Sequence, residues 1–120
     1  MRVDKLVKAA VAALEDIKAR DIVVLDVKRL TAMFDKIIIA SADSTRQSKA
    51  LARNLQEKLK AQGARPHGVE GEQVGEWILV DLGAVVVHIM QPAVRQYYNL
   101  EELWTLSRPK RRRAGGRLVG

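Results

Sequence analysis

The stretch GEWILVDLGAVVVHIMQ, residues 75–91, decides the fold of this 120-residue chain. Two runs rich in β-branched and aliphatic residues flank Gly83 and Ala84. This pattern predicts a β-hairpin with a two-residue type II′ turn, because glycine accepts positive φ and alanine resists it. The turn sets the register of the hairpin, in which the facing pairs are Leu82 with Val85, Asp81 with Val86, Leu79 with His88, and Trp77 with Met90.

The two faces of this hairpin differ in composition. One face is purely aliphatic and is predicted to lie on the core: Ile78, Val80, Leu82, Val85, Val87 and Ile89. The other face, called the mixed face below, carries Trp77, Leu79, Asp81, Val86, His88 and Met90. Neither a dry core nor a solvated surface favours this mixture, so we predict that another macromolecule covers it. For Trp77 and Met90 alone, a place in the core beneath a helix and a place in an interface are equally compatible with the pattern.

Asp81 and His88 are diagonal neighbours in this register, close enough for their side chains to meet. A catalytic base with its orienting carboxylate needs a nucleophile, and the chain has no cysteine and no Gly-x-Ser-x-Gly motif. We therefore favour a structural or interfacial hydrogen bond between Asp81 and His88. With no cysteine and only two histidines, no metal site and no cofactor are predicted.

The remaining segments predict the other elements of an α/β domain. In chain order they are a helix from Val3 to near Arg20, strands at 21–27 and 34–41, a helix from a Ser44–Gln47 capping box to Gly63, a turn-rich segment with at most one short strand, and a short helix from Pro92 to Tyr98. On the second helix, four basic residues share one side, which favours a solvated face over phosphate contacts: Arg46, Lys49, Arg53 and Lys60.

The net charge of +7 is concentrated at the C-terminus. After Glu102 no acid remains and six basic residues follow: Arg108, Lys110, Arg111, Arg112, Arg113 and Arg117. Without them, 15 basic residues stand against 14 acidic ones, so the rest of the chain is nearly neutral. We predict one domain over residues 1–106 and a basic, disordered tail over 107–120. No apolar run approaches a membrane span, which predicts a soluble, cytoplasmic protein without a membrane partner.

Several segments together resemble the ribosomal silencing factor family, also called Iojap-like proteins. The similarity runs from about Val3 to Trp104, with the motifs DIVVLDV, DSTRQSKALA, GVEGE, GEWILVDLG, VVVHIMQ and RQYYNLEELW in order. The resemblance implies a single α/β domain whose mixed sheet is flanked by helices, nucleotidyltransferase-like without catalytic motifs. It also implies a non-enzymatic translational repressor. Such a repressor binds the large ribosomal subunit through a ribosomal protein at an intersubunit bridge and blocks joining of the small subunit.

The resemblance implies partner-binding roles for Glu70, Trp77, Asp81, His88, Arg95, Tyr98, Glu101 and Trp104, and the mixed face adds Met90. Family members commonly form homodimers, and self-association would cover the mixed face, so we expect dimer and ribosome to compete. The chain departs from the family pattern in three places: Asp35-Lys36-Ile37 replaces Asp-Tyr-Phe or a similar triplet, Ser41-Ala42 replaces a Thr-Gly pair, and Ala84 replaces a common acid. The loss of that acid predicts either weaker docking on a basic surface or only an altered turn.

Two other function classes are considered. A nucleotidyltransferase would use clustered carboxylates to hold Mg²⁺, and Asp26, Asp35 and Asp81 lie on three predicted strands that could converge. None of them forms an Asp-x-Asp pair, and no phosphate-cradling glycine-rich loop is present. An RNA-binding module acting in ribosome assembly would use basic tail residues such as Arg111, Arg112 and Arg113. Because no aromatic residues alternate with them, we predict sequence-independent affinity for ribosomal RNA only.

Overall fold

The computed structural model describes residues 1–106, and the predicted basic tail lies outside the described residues. Four helices are present within this range: α1 (Val3–Asp16), α2 (Thr45–Ala61), α3 (Pro92–Tyr98) and α4 (Leu100–Leu106). They accompany five strands: β1 (Arg20–Asp26), β2 (Lys36–Ser41), β3 (Gly68–Glu70), β4 (Trp77–Asp81) and β5 (Val85–Met90). Among these residues, no helix is long and apolar enough to cross a membrane.

The five strands form one mixed sheet in the order β1-β2-β5-β4-β3. β2 runs parallel to β5, and every other neighbouring pair is antiparallel. The predicted hairpin register is confirmed, since Leu79 lies beside His88 and Trp77 lies beside Met90. On the same face, β3 adds Glu70 beside Leu79 and β2 adds Ile39 beside His88. The mixed face of the hairpin therefore extends across the whole sheet.

Helices α1 and α2 cover the aliphatic face of the sheet, where the larger hydrophobic core lies. Leu14, Leu55 and Ile89 are fully buried there. The predicted N-cap of α2 is confirmed, because Ser44 Oγ accepts a hydrogen bond from the Gln47 N–H at 3.0 Å. The Gln47 side chain in turn accepts from the N–H of residue 43 at 2.7 Å, one position before the cap. At the other end, the predicted positive φ after the helix is confirmed at Gly63, with φ +87°.

The two ends of the chain differ from the sequence prediction. The first helix ends at Asp16 and not near Arg20. Lys18 adopts a left-handed conformation with φ 62°, and the chain turns so that Arg20 can begin β1 beside Ser41. The sequence analysis did not predict α4. It follows α3 after one residue and runs back across the mixed side of the sheet.

A second, smaller cluster lies on the mixed side, beneath α3 and α4. Its fully buried residues are Val27, Ile37, Ile39 and Met90, with seven partly buried residues packed against them: Leu25, Leu30, Phe34, Trp77, Val94, Leu100 and Trp104. The two short helices thus cover the part of the face formed by β1, β2 and the end of β5. Leu79 and Asp81 on β4 remain half-buried, whereas Val86 and His88 on β5 are buried, so the face stays partly open along β4.

Candidate protein-docking site

A groove of about 620 Å³ opens on the mixed side of the sheet, called the hairpin groove below. Its floor is formed by side chains of β2, β4 and β5, namely Ile37, Leu79, Val86 and His88. One wall is the inner side of α4, with Leu100, Leu103 and Trp104. The ends and rim are formed by Met33, Phe34, His67, Asp81 and Gly83.

Large apolar side chains stand at the mouth of the groove. Leu103 is 58% exposed and Met33 is 80% exposed. Below them, Trp104 packs edge-on against Phe34 with ring centroids 5.7 Å apart. Apolar surface gains roughly 25 cal/mol for each Å² removed from water, so a partner that covers this mouth would be stabilised by the contact. A concave apolar centre with a few polar groups at its edge suits a protein surface.

His88 is uncharged at neutral pH in this environment. Its side chain is 8% exposed, and burial lowers its pKa from 6.5 to about 4. The indole Nε1–H of Trp77 donates to His88 Nδ1 at 3.0 Å. Since Nδ1 accepts, the proton of the neutral imidazole is assigned to Nε2. The groove floor therefore presents a neutral hydrogen-bond donor and not a positive charge.

The predicted hydrogen bond between Asp81 and His88 is wrong. Asp81 Oδ1 instead accepts from the backbone N–H of Gly83 at 2.9 Å, which stabilises the hairpin turn. A short carboxylate bonds readily to the N–H two residues further on, and this local bond competes with a partner across the strands. The Nδ1 acceptor of His88 is bonded to the indole N–H of Trp77. Within residues 1–106, the structure therefore gives no acid–base pair of Asp81 with His88.

The carboxylates considered for a metal site do not converge. Asp26 lies on β1 and Asp81 on β4, so two strands separate them and their spacing in the sheet is about 14 Å. Asp26 instead pairs with Lys36, with Nζ and Oδ2 3.3 Å apart. Lys36 thus joins β2 to β1. In residues 1–106, no three histidine, aspartate or glutamate side chains come together as metal ligands would.

For Trp77 and Met90, the sequence is compatible with a place in the core beneath a helix and with a place in an interface. The structure separates the two residues. Met90 is fully buried in the second cluster, so its side chain cannot contact a partner and its predicted binding role is wrong. Trp77 is half-buried: it packs against that cluster and also lies 4.8 Å, between ring centroids, from the exposed Tyr98. Trp77 and Tyr98 adjoin the groove beside His88.

Arg95 and Glu101 bind each other within the domain. Arg95 Nη2 donates to Glu101 Oε2 at 2.8 Å, and Nε donates to Oε1 at 3.2 Å. Arg95 Nη1 also donates to the hydroxyl of Ser41 at 2.8 Å. This bidentate contact holds the pKa of Glu101 below its usual value. Neither side chain lines the hairpin groove; together with Ser41 both line a separate surface groove of about 490 Å³.

The other predicted residues lie on or beside the groove. Trp104, Asp81 and His88 line it, while Glu70 is exposed on β3 beside Leu79. The predicted RNA contacts Arg111, Arg112 and Arg113 lie outside the described residues. The sequence analysis missed several residues of this surface: Met33, Phe34, Ile37, His67, Leu100 and Leu103 in the groove, and the 81% exposed Tyr97 beside Tyr98. The helical spacing of Leu100, Leu103 and Trp104 is a signal that would have predicted the wall.

Comparison with known proteins identifies the family of this chain. A family model described as "Ribosomal silencing factor during starvation" matches residues 1–116. The chain belongs to this ribosomal silencing factor family. The Ribosomal silencing factor RsfS of Chromobacterium violaceum is 51% identical over 109 residues, which cover 91% of this chain and 89% of the relative.

More distant and structural relatives support the same assignment. A crystal structure of a Chromobacterium violaceum protein matches with a TM-score of 0.86 at 50% identity and covers 97% of this chain and 95% of its own. A mouse protein named "Mitochondrial assembly of ribosomal large subunit protein 1" is 36% identical over 99 residues, which cover 80% of this chain and 43% of that protein. The expected fold, a single α/β domain with a mixed sheet, is confirmed.

Proposed function

We propose that this ribosomal silencing factor represses translation by binding the large ribosomal subunit and sterically blocking the small one. The contact is a ribosomal protein at an intersubunit bridge, and the hairpin groove with its adjoining aromatic residues is the docking surface. The blocking activity needs no catalysis, only a complex that outlasts competition from the small subunit. The site of action is the cytoplasm.

The observation that carries this proposal is the open, apolar groove on an otherwise nearly neutral domain. A surface built for bare RNA would present clustered positive charge, whereas here the floor contains Leu79, Val86 and the neutral His88. Family membership supplies the ribosome as the target. The printed name of the mouse relative mentions the large subunit, which supports that choice of subunit for this chain.

Each side chain has a role in the proposed complex. Leu103 and Trp104 bury apolar surface against the partner, as central interface residues do. Asp81 and Glu70 stand at the rim, where they meet basic groups of the ribosomal protein and guide its approach. Trp77 and Tyr98 extend the contact beyond the groove as a pair of packed aromatic rings. In the absence of ribosomes, two copies cover the same surface as a homodimer.

The test replaces one exposed apolar side chain with a charge. Leu103→Asp places a carboxylate in the centre of the proposed interface, and we expect affinity for large subunits to fall by about a hundredfold or more. Val74→Asp is the matched control, because Val74 is equally apolar and 65% exposed but lies outside the groove. Purified large and small subunits are each sedimented with wild type and both variants, and circular dichroism checks folding.

Three outcomes of this experiment matter. Wild type and Val74→Asp should sediment with large subunits alone, and Leu103→Asp should remain in the supernatant. Retention of folded Leu103→Asp at wild-type affinity would refute the groove as the docking site. Sedimentation of wild type with small subunits only would refute the proposed mechanism as a whole.

A further inference from the structure

The connection between α3 and α4 is a single residue with an unusual backbone. Asn99 has φ 47°, in the left-handed region that asparagine tolerates better than most residues. Its side chain donates to Glu102 Oε1 at 2.7 Å, within the first turn of α4. A helix of seven residues is not stable by itself in water, so contacts with the rest of the domain must fix the direction of α4.

Arg95 supplies the polar contacts described next, beside the packing of Leu100 and Trp104 on the second cluster. Its guanidinium spans three parts of the fold: it belongs to α3, holds Glu101 in the first turn of α4 through two hydrogen bonds, and reaches Ser41 at the end of β2. The Arg95 side chain is only 11% exposed. Bidentate, charge-assisted bonds of this kind have a narrow preferred geometry, which exposed single ion pairs lack.

Ser41 shows that this contact is built into the interior. The residue is 3% exposed and hence cannot touch a partner, yet its hydroxyl accepts from Arg95 at 2.8 Å. Arg95 on α3 and Glu101 on α4 lie outside the hairpin groove, while Leu103 and Trp104 of α4 line it. The position of the wall therefore depends in part on a side chain outside the groove, besides the packing of Leu100 and Trp104 on the second cluster.

We propose that Arg95, with Glu101 and Ser41, is a positioning group that sets the wall of the docking groove and so controls affinity without touching the partner. This inference rests on the proposed function, because the groove must be the docking surface. It reassigns Arg95 and Glu101, which the family resemblance places among the contacts. Without the Arg95 bonds, α4 samples other directions about Asn99, and the partner must order it on binding at a cost in affinity.

The test combines a readout in the free protein with a readout of binding. Arg95→Gln should raise hydrogen exchange of the α4 backbone amides and weaken binding to large subunits by roughly tenfold. Ser41→Ala should also raise exchange in α4 and weaken binding, but to a smaller extent. Because the Ser41 side chain is buried, its effect on binding is indirect. The charge swap Arg95→Glu with Glu101→Arg should restore both exchange and affinity. Exchange in α2 serves as the control for global folding.

Distinct results would overturn the inference. If Arg95→Gln weakens binding while α4 exchange is unchanged, or if the swap restores exchange but not affinity, the two residues contact the partner directly. Unchanged exchange and affinity in Ser41→Ala would also count against the positioning role. Failure of wild type to bind large subunits would instead refute the proposed function, whatever the exchange data show.

Discussion

Acidification should destabilise the domain through His88. Burial lowers the pKa of this imidazole from 6.5 to about 4, so between these values the unfolded chain binds a proton that the folded protein excludes. The contribution to stability is complete above pH 6.5, falls as the pH drops through the window, and does not change further below about pH 4. Each pH unit corresponds to about 1.4 kcal/mol, and the whole window to about 3 kcal/mol. That is a large fraction of a typical free energy of unfolding.

The assay is urea unfolding monitored by circular dichroism from about pH 7.5 to about pH 5, in a His67→Asn background where His88 is the remaining imidazole. Between pH 6.5 and about pH 5, the free energy of unfolding should fall by about 2 kcal/mol. His88→Asn keeps an acceptor for the Trp77 indole but does not titrate, so its stability should be flat over this range. The range stops at about pH 5 because Glu101, whose pKa is also lowered, begins to contribute in more acidic solution. Equal pH slopes in the two proteins would refute the assignment of a buried neutral imidazole.

Four further outcomes are expected. Trp77→Phe removes the donor to His88 Nδ1 but keeps an aromatic ring beside Tyr98, and should cost about 1 kcal/mol of unfolding free energy in urea at neutral pH, less than Trp77→Ala. Gly83→Ala should cost at least about 1 kcal/mol, because φ is +90° and the added Cβ would stand 3.0 Å from His67 Cε1, whereas Gly68→Ala meets nothing within 4 Å and should cost less. Deleting residues 107–120 should flatten the salt dependence of large-subunit binding, and equal slopes with and without the tail would mean that it contacts no RNA. In analytical ultracentrifugation, large subunits should dissociate the homodimer, whereas a dimer that persists on the subunit would place the two contacts on different surfaces.

Local chemistry explains which parts of the fold were predictable. A glycine at the hairpin turn and the alternation of side chains determine the register, so the pairing of Trp77 with Met90 follows from a few adjacent residues. The cap at Ser44 and the positive φ at Gly63 are equally local. In contrast, the parallel contact of β2 with β5 joins segments far apart in the chain. No periodicity in either strand specifies that neighbour.

The site was predictable in composition but not in its contacts. The composition of the mixed face predicts a covered surface, but it did not predict that Asp81 bonds to Gly83 or that His88 bonds to Trp77. Side-chain partners depend on rotamers and on which groups the tertiary fold brings near, and strand register does not determine these. Met90 is buried because α3 and α4 return over one end of the face. That return needs the turn at Asn99, for which the sequence offers only a residue tolerant of positive φ.

The mixed face carries apolar and ionisable side chains together, and its partial covering by α3 and α4 accounts for this composition. A face left fully open would expose Trp77 and Met90 and promote nonspecific association, and a fully closed one would leave nothing to bind. The C-terminal helices bury Met90 and half-bury Trp77, while Leu79 and Val86 remain in the groove. Burial lowers the pKa of His88 and keeps the imidazole neutral, and the Trp77 indole N–H donates to its Nδ1. Because the same short helices provide both the cover and the groove wall, the packing that keeps the free domain folded also shapes the surface available to its partner.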